Sequence, residues 1–313
     1  MGHASVRPAT LEDTAAICGI HCSNVAEWFR RLPDGTRQAA EYSELTVRER
    51  FALGGPWMSP ETCQIHLMNM LDCGAHVLVA EVGGRTLATA EIFIGDEPAP
   101  FARNAHLSIL YVHARHHRRG LGSALMDAAL QLATKAGCDT FSTSPDDEAL
   151  DFYRRFDLGP FHTQPELEIA LPPTLPRMET RPARATEYPG GNALMRLGRY
   201  QSSRQEWEQN FWPPYPPELG LRGRDIVKIA RDSRLIVACS PTFSDPTKAI
   251  VQAWAPPDMR LSEVAAAALA EAAAAGFRTA TTLASCAGAK MLKQRFGAVE
   301  TAQWELWAMG LAG

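Results

Sequence analysis

The sequence predicts an α/β protein built as two successive units. Three observations carry this: strands and helices alternate along the chain, the chain is too long for one core, and the order of elements repeats. At 313 residues it exceeds the ~250 at which single cores stop growing. Its 46% hydrophobic and 21% charged residues are an ordinary globular balance.

Val6-Arg7 leads into a helix over about Leu11 to Phe29, after Thr10, which suits an N-cap. Ser59-Pro60-Glu61 opens a second helix, to about Leu71, with proline at the first helical position. Residues 75–82 and 86–94 read as strands joined at Gly83-Gly84, a hairpin signal. His106 to Val112 is a further strand, and Gly122 to Ala136 a helix with Leu125, Ala128, Ala129, Leu132 and Ala136 on its apolar side. A strand at Asp139 to Ser144, a short helix at Asp147 to Phe156 and extended chain from Pro160 to Leu171 complete the unit.

Pro172-Pro173-Thr174-Leu175-Pro176 then breaks regular structure. The expected division is a domain over 1–171, a linker over 172–180 and a second domain over 181–313. Beyond the aromatic, proline-rich run Trp207 to Pro217, a hairpin is expected from Asp225–Ala230 and Leu235–Ser240, turning at Asp232-Ser233. A strand near Ala249 to Trp254, a helix over Leu261 to Ala275, a strand at Thr279 to Leu283, a helix over Gly288 to Phe296 and a strand at Gln303 to Met309 follow. Laid on Val251 without gaps, Val112 starts a match in which Ser123 meets Ser262, Ala136-Gly137 meets Ala275-Gly276 and Thr140 meets Thr279. An internal duplication explains this order.

Net charge is -4 and the pI is near 6.2, so no nucleic acid or anionic membrane is called for as partner. Seven scattered cysteines form no CxxC pairs, which favours reduced thiols over zinc. Cys18 and Cys22 lie four apart with His21 beside them, but the further ligands of a metal site are missing, so helix packing is the expected role. The first residues have no apolar export core, and no stretch reaches ~20 apolar residues, so a cytoplasmic protein is expected.

The segment richest in chemistry follows Val112: His116-His117-Arg118-Arg119-Gly120-Leu121-Gly122-Ser123. Two glycines at a strand-to-helix junction let backbone N–H groups approach a ligand, and the new helix aims its positive end at the same spot. Arg115, Arg118 and Arg119 add full charges, so the loop suits a pyrophosphate. A dinucleotide-binding turn fits less well, because the third glycine of its motif falls on Leu125. Arginines beside His113, His116 and His117 would repel a metal cation.

Leu110-Tyr111-Val112-His113 followed by His117-Arg118-Arg119-Gly120-Leu121-Gly122 closely resembles the signature of the GCN5-related N-acetyltransferase (GNAT) superfamily, over residues 6 to about 171. His117 stands where that family has Gln or Arg. The resemblance implies two tandem GNAT-like domains, each a mixed, mostly antiparallel sheet flanked by helices. It implies acetyl-CoA as co-substrate, no metal, and pantetheine pairing along Leu110 and Val112. Pyrophosphate would be held by His117, Arg118, Arg119, Gly120, Leu121, Gly122 and Ser123. The helix beginning Asp146-Asp147-Glu148-Ala149 looks like the family's helix beside the cofactor sulfur. That places Asp146 among the cofactor contacts and Tyr153 by the leaving thiolate.

Acetyl transfer needs a deprotonated amine, reactants held together and a protonated leaving thiolate. A phenol of pKa ~10 can protonate a thiolate of pKa ~8.5 as its charge develops, so Tyr153 is the expected general acid. His106, at the position where some family members carry a glutamate, is the candidate base, with Glu81 and Glu91 as rivals. In the second half Met259 and Leu261 replace the two glycines, and Lys293 stands at the place of Tyr153, which marks a degenerate copy. Trp207, Phe211, Trp212 and Tyr215 read as core.

The expected function is thus N-acetylation of a primary amine of a small molecule by direct attack. A non-catalytic acyl-CoA-binding regulator and a protein or peptide N-acetyltransferase are the alternatives, and self-association to a homodimer stays open.

Overall fold

The computed structural model describes residues 4–32, 34–172, 179–182, 188–221, 226–230, 234–242 and 245–311. In chain order the first half contains β1 (Ser5–Pro8), α1 (Thr14–Cys22), β2 (Phe29–Arg31), β3 (Arg37–Ala39), α2 (Val47–Gly54) and α3 (Pro60–Asp72). It continues with β4 (His76–Val82), β5 (Arg85–Glu97), β6 (Ala102–Val112), α4 (Leu121–Lys135), β7 (Thr140–Thr143), α5 (Leu150–Arg154) and β8 (Gly159–Ala170). The second half contains β9 (Thr180–Pro182), β10 (Leu194–Leu197), α6 (Ser203–Phe211), β11 (Ile226–Ala230), β12 (Ile236–Pro241) and β13 (Lys248–Ala255). Then come α7 (Leu261–Ala274), β14 (Thr279–Leu283), α8 (Cys286–Phe296) and β15 (Val299–Gly310).

The mixed α/β architecture is as expected. Two compact units form, one from residues 1–93, 107–135 and 213–223, the other from 94–106, 136–212 and 224–313. These units are interleaved along the chain, whereas the sequence reading divides it at residues 172–180. Most of that expected linker lies outside the described residues, as does the turn at Asp232-Ser233.

In the first unit β1 pairs antiparallel with β4, and β4 with β5. Gly83 and Gly84 turn that hairpin at φ 58 and 74, the left-handed values a two-residue type I′ turn demands. Helix α1 is shorter than expected, because Asn24 leaves the helical path and spends its amide on the carbonyls of Ile20 and Val112. Helix α1 packs against α3, and α4 against β1 and β4. Leu121, Leu125, Met126, Ala129 and Ala133 recur at helical spacing and form the buried side of α4. Helix α2 is opened by a capping box: the Thr46 hydroxyl accepts from Glu49 N at 3.2 Å, and Glu49 Oε2 accepts from Thr46 N at 2.8 Å.

In the second unit β13 runs parallel to β14, with β12 antiparallel on its other side. Alanines of α7 (Ala265, Ala267, Ala268, Ala272) meet Ala249, Val251, Ala253 and Ala255 of β13, small residues that let helix and strand approach closely. Strands β8 and β15 are exchanged between the halves of the chain. β15 lies between β7 and β8, while β8 pairs in turn with β14. Trp207 and Phe211 join Tyr200 and Trp254 in a second apolar cluster, so these two aromatics of the proline-rich run are core.

Candidate functional site

Along β6 the environment changes. Asn104 to Leu107 are buried, whereas Ser108 to Val112 are half-buried. After Val112 the chain makes a 3-10 turn over Ala114–His116, puts Arg118 at φ 58 and Gly120 at φ 83, and enters α4. The carbonyl of Gly120 accepts the first helical bond, from Ala124 N at 2.9 Å. The amides of Leu121, Gly122 and Ser123 therefore precede the first i→i−4 bond and have no acceptor within the helix.

A Cβ on Gly120 would meet nothing within 4 Å, so the space above the loop is open, and only the left-handed φ restricts the position. His117, Arg118 and Arg119 are exposed around it. Free amides, a helix N-terminus and two guanidinium groups give the loop the donors and the charge a pyrophosphate needs. The residues present fit that group.

Side chains just beyond the end of α1 hold the loop. Ser23 Oγ accepts from Ala114 N at 2.9 Å, and Asn24 Nδ2 donates to Val112 O at 3.0 Å. His117 Nε2 lies 2.9 Å from the same Val112 carbonyl, so as the Nε2–H tautomer it closes the loop on itself. The histidine at the family's Gln/Arg position thus braces the cradle from below. It also engages one carbonyl of the edge along which pantetheine pairing was expected.

Leu110, Val112 and the 117–123 segment are brought together in the first unit, whereas His106, Asp146 and Tyr153 belong to the second. Asp146 is exposed and caps the 3-10 turn at Asp147–Ala149. Tyr153 is only 7% exposed, with its ring edge-on to Phe152 at 5.1 Å. The family's Gly-Phe ending is absent, yet Asp157 takes φ 62, the backbone a glycine would adopt there.

His106 is buried, and its Nδ1 lies 3.0 Å from Ser142 Oγ. Burial, assisted by the charge of Arg199, pushes its imidazole down to about 3. So weak a proton acceptor is poorly suited to take a proton from an amine. Of the rivals, Glu81 accepts from Arg7. Glu91 lies wholly buried in β5. Desolvation works against its charge, but His66 and the Trp57 N–H overcome that and hold its carboxyl below the usual range. The cluster of Glu91 with Trp57, His66 and His21 escaped the sequence reading. A single acid inside an apolar strand, Ala88 to Ile94, was the signal that marks it.

Among the described residues no three His, Cys, Asp or Glu side chains converge as a metal site requires, and no helix is long and apolar enough to cross a membrane.

The half-buried strand end, the glycine-bent loop and the helix N-terminus together form a strand–loop–helix with the donors an anion needs. Residues 39–158 match the model of the acetyltransferase (GNAT) family. No curated protein matches the sequence. Among solved structures, a GCN5-related N-acetyltransferase from Kribbella flavida is 13% identical, with TM-score 0.54 over 98% of this chain and 71% of that one. One from Anabaena variabilis is 11% identical, with TM-score 0.53 over 98% and 72%. A glucosamine N-acetyltransferase region of a fungal multi-domain β-N-acetylglucosaminidase is 11% identical, with TM-score 0.51 over 99% of this chain and 38% of that one. At these identities the likeness is one of fold.

Proposed function

We propose that the chain transfers an acetyl group from acetyl-CoA to a primary amine of a small molecule, by direct attack of the amine. The observation that carries this reading is the loop from His113 to Ser123, where a left-handed Gly120 opens α4 beneath exposed arginines. Acetyl-CoA supplies the thioester. Amides of Leu121, Gly122 and Ser123, with Arg118 and Arg119, hold the pyrophosphate, and the half-buried backbone at Leu110 lies along the pantetheine arm. Asp146 is a further cofactor contact. Tyr153 Oη gives its proton to the departing sulfur, and the amine's proton leaves to water.

With His106 buried and neutral, the amine arrives already deprotonated or gives up its proton through water. That same burial favours a second reading, an acyl-CoA-binding regulator without turnover. Residues 181–313 act as a degenerate copy with a structural or substrate-shaping role.

The test is a thermal shift with acetyl-CoA, followed by thiol release across a library of amines. Stabilisation together with release of free CoA above background supports the transferase. Stabilisation without release selects the regulator. A shift with NAD(P) and none with acetyl-CoA overturns both.

A further inference from the structure

Glu91 is the one acid in the buried middle of β5, and its side chain is spoken for on every side. Trp57 Nε1 donates to Oε1 at 2.8 Å, and His66 Nε2 lies 3.0 Å from each carboxylate oxygen. An indole N–H in apolar surroundings takes the acceptor it is given, so Glu91 fixes the plane of Trp57. On that plane His21 stacks at 4.9 Å and 9°, and the other side of His21 meets Tyr111 at 4.4 Å and 31°. Tyr111 stands between Leu110 and Val112, at the strand end that leads into the loop. One turn beyond His21, Ser23 and Asn24 hold Ala114 and Val112.

We propose that Glu91 is a positioning residue for the transfer. Through Trp57 and His21 it sets Tyr111, and with it the end of β6 that receives the donor's pantetheine arm. This rests on the acetyl-CoA reading above.

The chemistry of the cluster suits positioning better than proton transfer. Glu91 is held ionised with its oxygens occupied, and burial, opposed by the charge of Glu91, pushes His21 down to about 4. His21 Nε2 is buried without a partner among the described residues, a polar atom kept dry for the sake of where its ring stands. A charge costs more to bury here than an apolar side chain would, so packing alone does not account for it.

The experiment uses the full chain, acetyl-CoA and the amine that the wild type acetylates fastest. Glu91→Gln keeps an acceptor but loses the charge, and Trp57→Phe keeps an aromatic ring, a smaller one, but loses the N–H. Each is expected to lower kcat/KM for acetyl-CoA roughly tenfold, and the double variant to fall little further, because both act along one chain of contacts. The indole N–H resonance of Trp57, identified by its loss in Trp57→Phe, is expected to move when acetyl-CoA is added to the wild type. A purely structural cluster would lower the melting temperature and leave that resonance where it was. Variants within twofold of wild type, or an indole unmoved by saturating acetyl-CoA, overturn the inference while the transferase reading stands. A wild type that does not bind acetyl-CoA overturns both.

Discussion

The chain makes the same strand-to-helix crossing twice, and the two versions have opposite polarity. Between β6 and α4 the loop offers amides: Gly120 at φ 83 opens the helix, and cations stand around it. Between β13 and α7 the loop offers carbonyls, and Arg196 Nη1 donates to those of Pro256 and Met259, both at 3.0 Å. There the helix begins from Arg260 at φ -65, an ordinary conformation, with Glu263 in its first turn and Asp258 paired to Arg234. The second loop is thus already engaged by a cation from β10 and carries acids of its own. What distinguishes an anion cradle from a plain turn is whether the backbone leaves its donors unspent. The glycines matter because they make that arrangement accessible.

Gly120→Val attacks the difference most directly. A β-branched residue at that φ costs about 1–2 kcal/mol, and each charge-assisted bond lost about 1.5–3 kcal/mol, so acetyl-CoA affinity should fall ~100-fold by titration calorimetry. Met259→Gly with Leu261→Gly should leave one site per chain. A second site appearing in that variant would break the comparison.

Tyr153→Phe should lower kcat roughly 10- to 100-fold with acetyl-CoA affinity unchanged. Lys293→Ala, at the corresponding place in the other half, should leave turnover alone, since Lys293 pairs with Glu300. Arg118→Ala and Arg119→Ala should each weaken binding several-fold, an effect that shrinks as salt is added. Arg196→Ala should cost about 1–3 kcal/mol of stability, seen in a denaturant titration, without touching affinity.

The smallest effect concerns two glutamates of one strand. Both are fully buried, yet Glu91 is held below the usual carboxyl range while burial lifts Glu97 to about 8 against the amides of Ser203 and Arg204. For Glu97 the native state keeps a proton that the unfolded chain releases. Its contribution is complete below the unfolded value of about 4.5 and is lost as pH rises through about 8. Glu97→Gln should therefore flatten the decline in melting temperature between those limits. For Glu91 the sign reverses: its contribution holds above the ordinary carboxyl value and fades as pH falls through the lowered one.

Much of this was legible in the sequence because it is local. Gly83-Gly84, Ser59-Pro60 and Gly120-Leu121-Gly122 announce their turns and helix starts through backbone chemistry that neighbours do not alter. Helix α2 was equally legible, since Thr46 and Glu49 spell a capping box, but that signal went unread. The burial of His106 was not legible, because it depends on Ser142 and Arg199, far along the chain. The same holds for Glu91, whose partners come from three separate segments. The exchange of β8 and β15 leaves no trace in either strand, as their alternation is the same whichever neighbour they pair with.

That exchange makes the second unit all-or-nothing in time. β7 is flanked by a strand that begins at Val299, so a chain released before that residue would carry β7 and β8 with bare edges. Its contacts join residues roughly a hundred and sixty positions apart, the kind of closure that folds slowly. Cutting the protein near residue 171 would thus yield two pieces that each want the other's last strand. Such pieces would either recombine into one particle or aggregate.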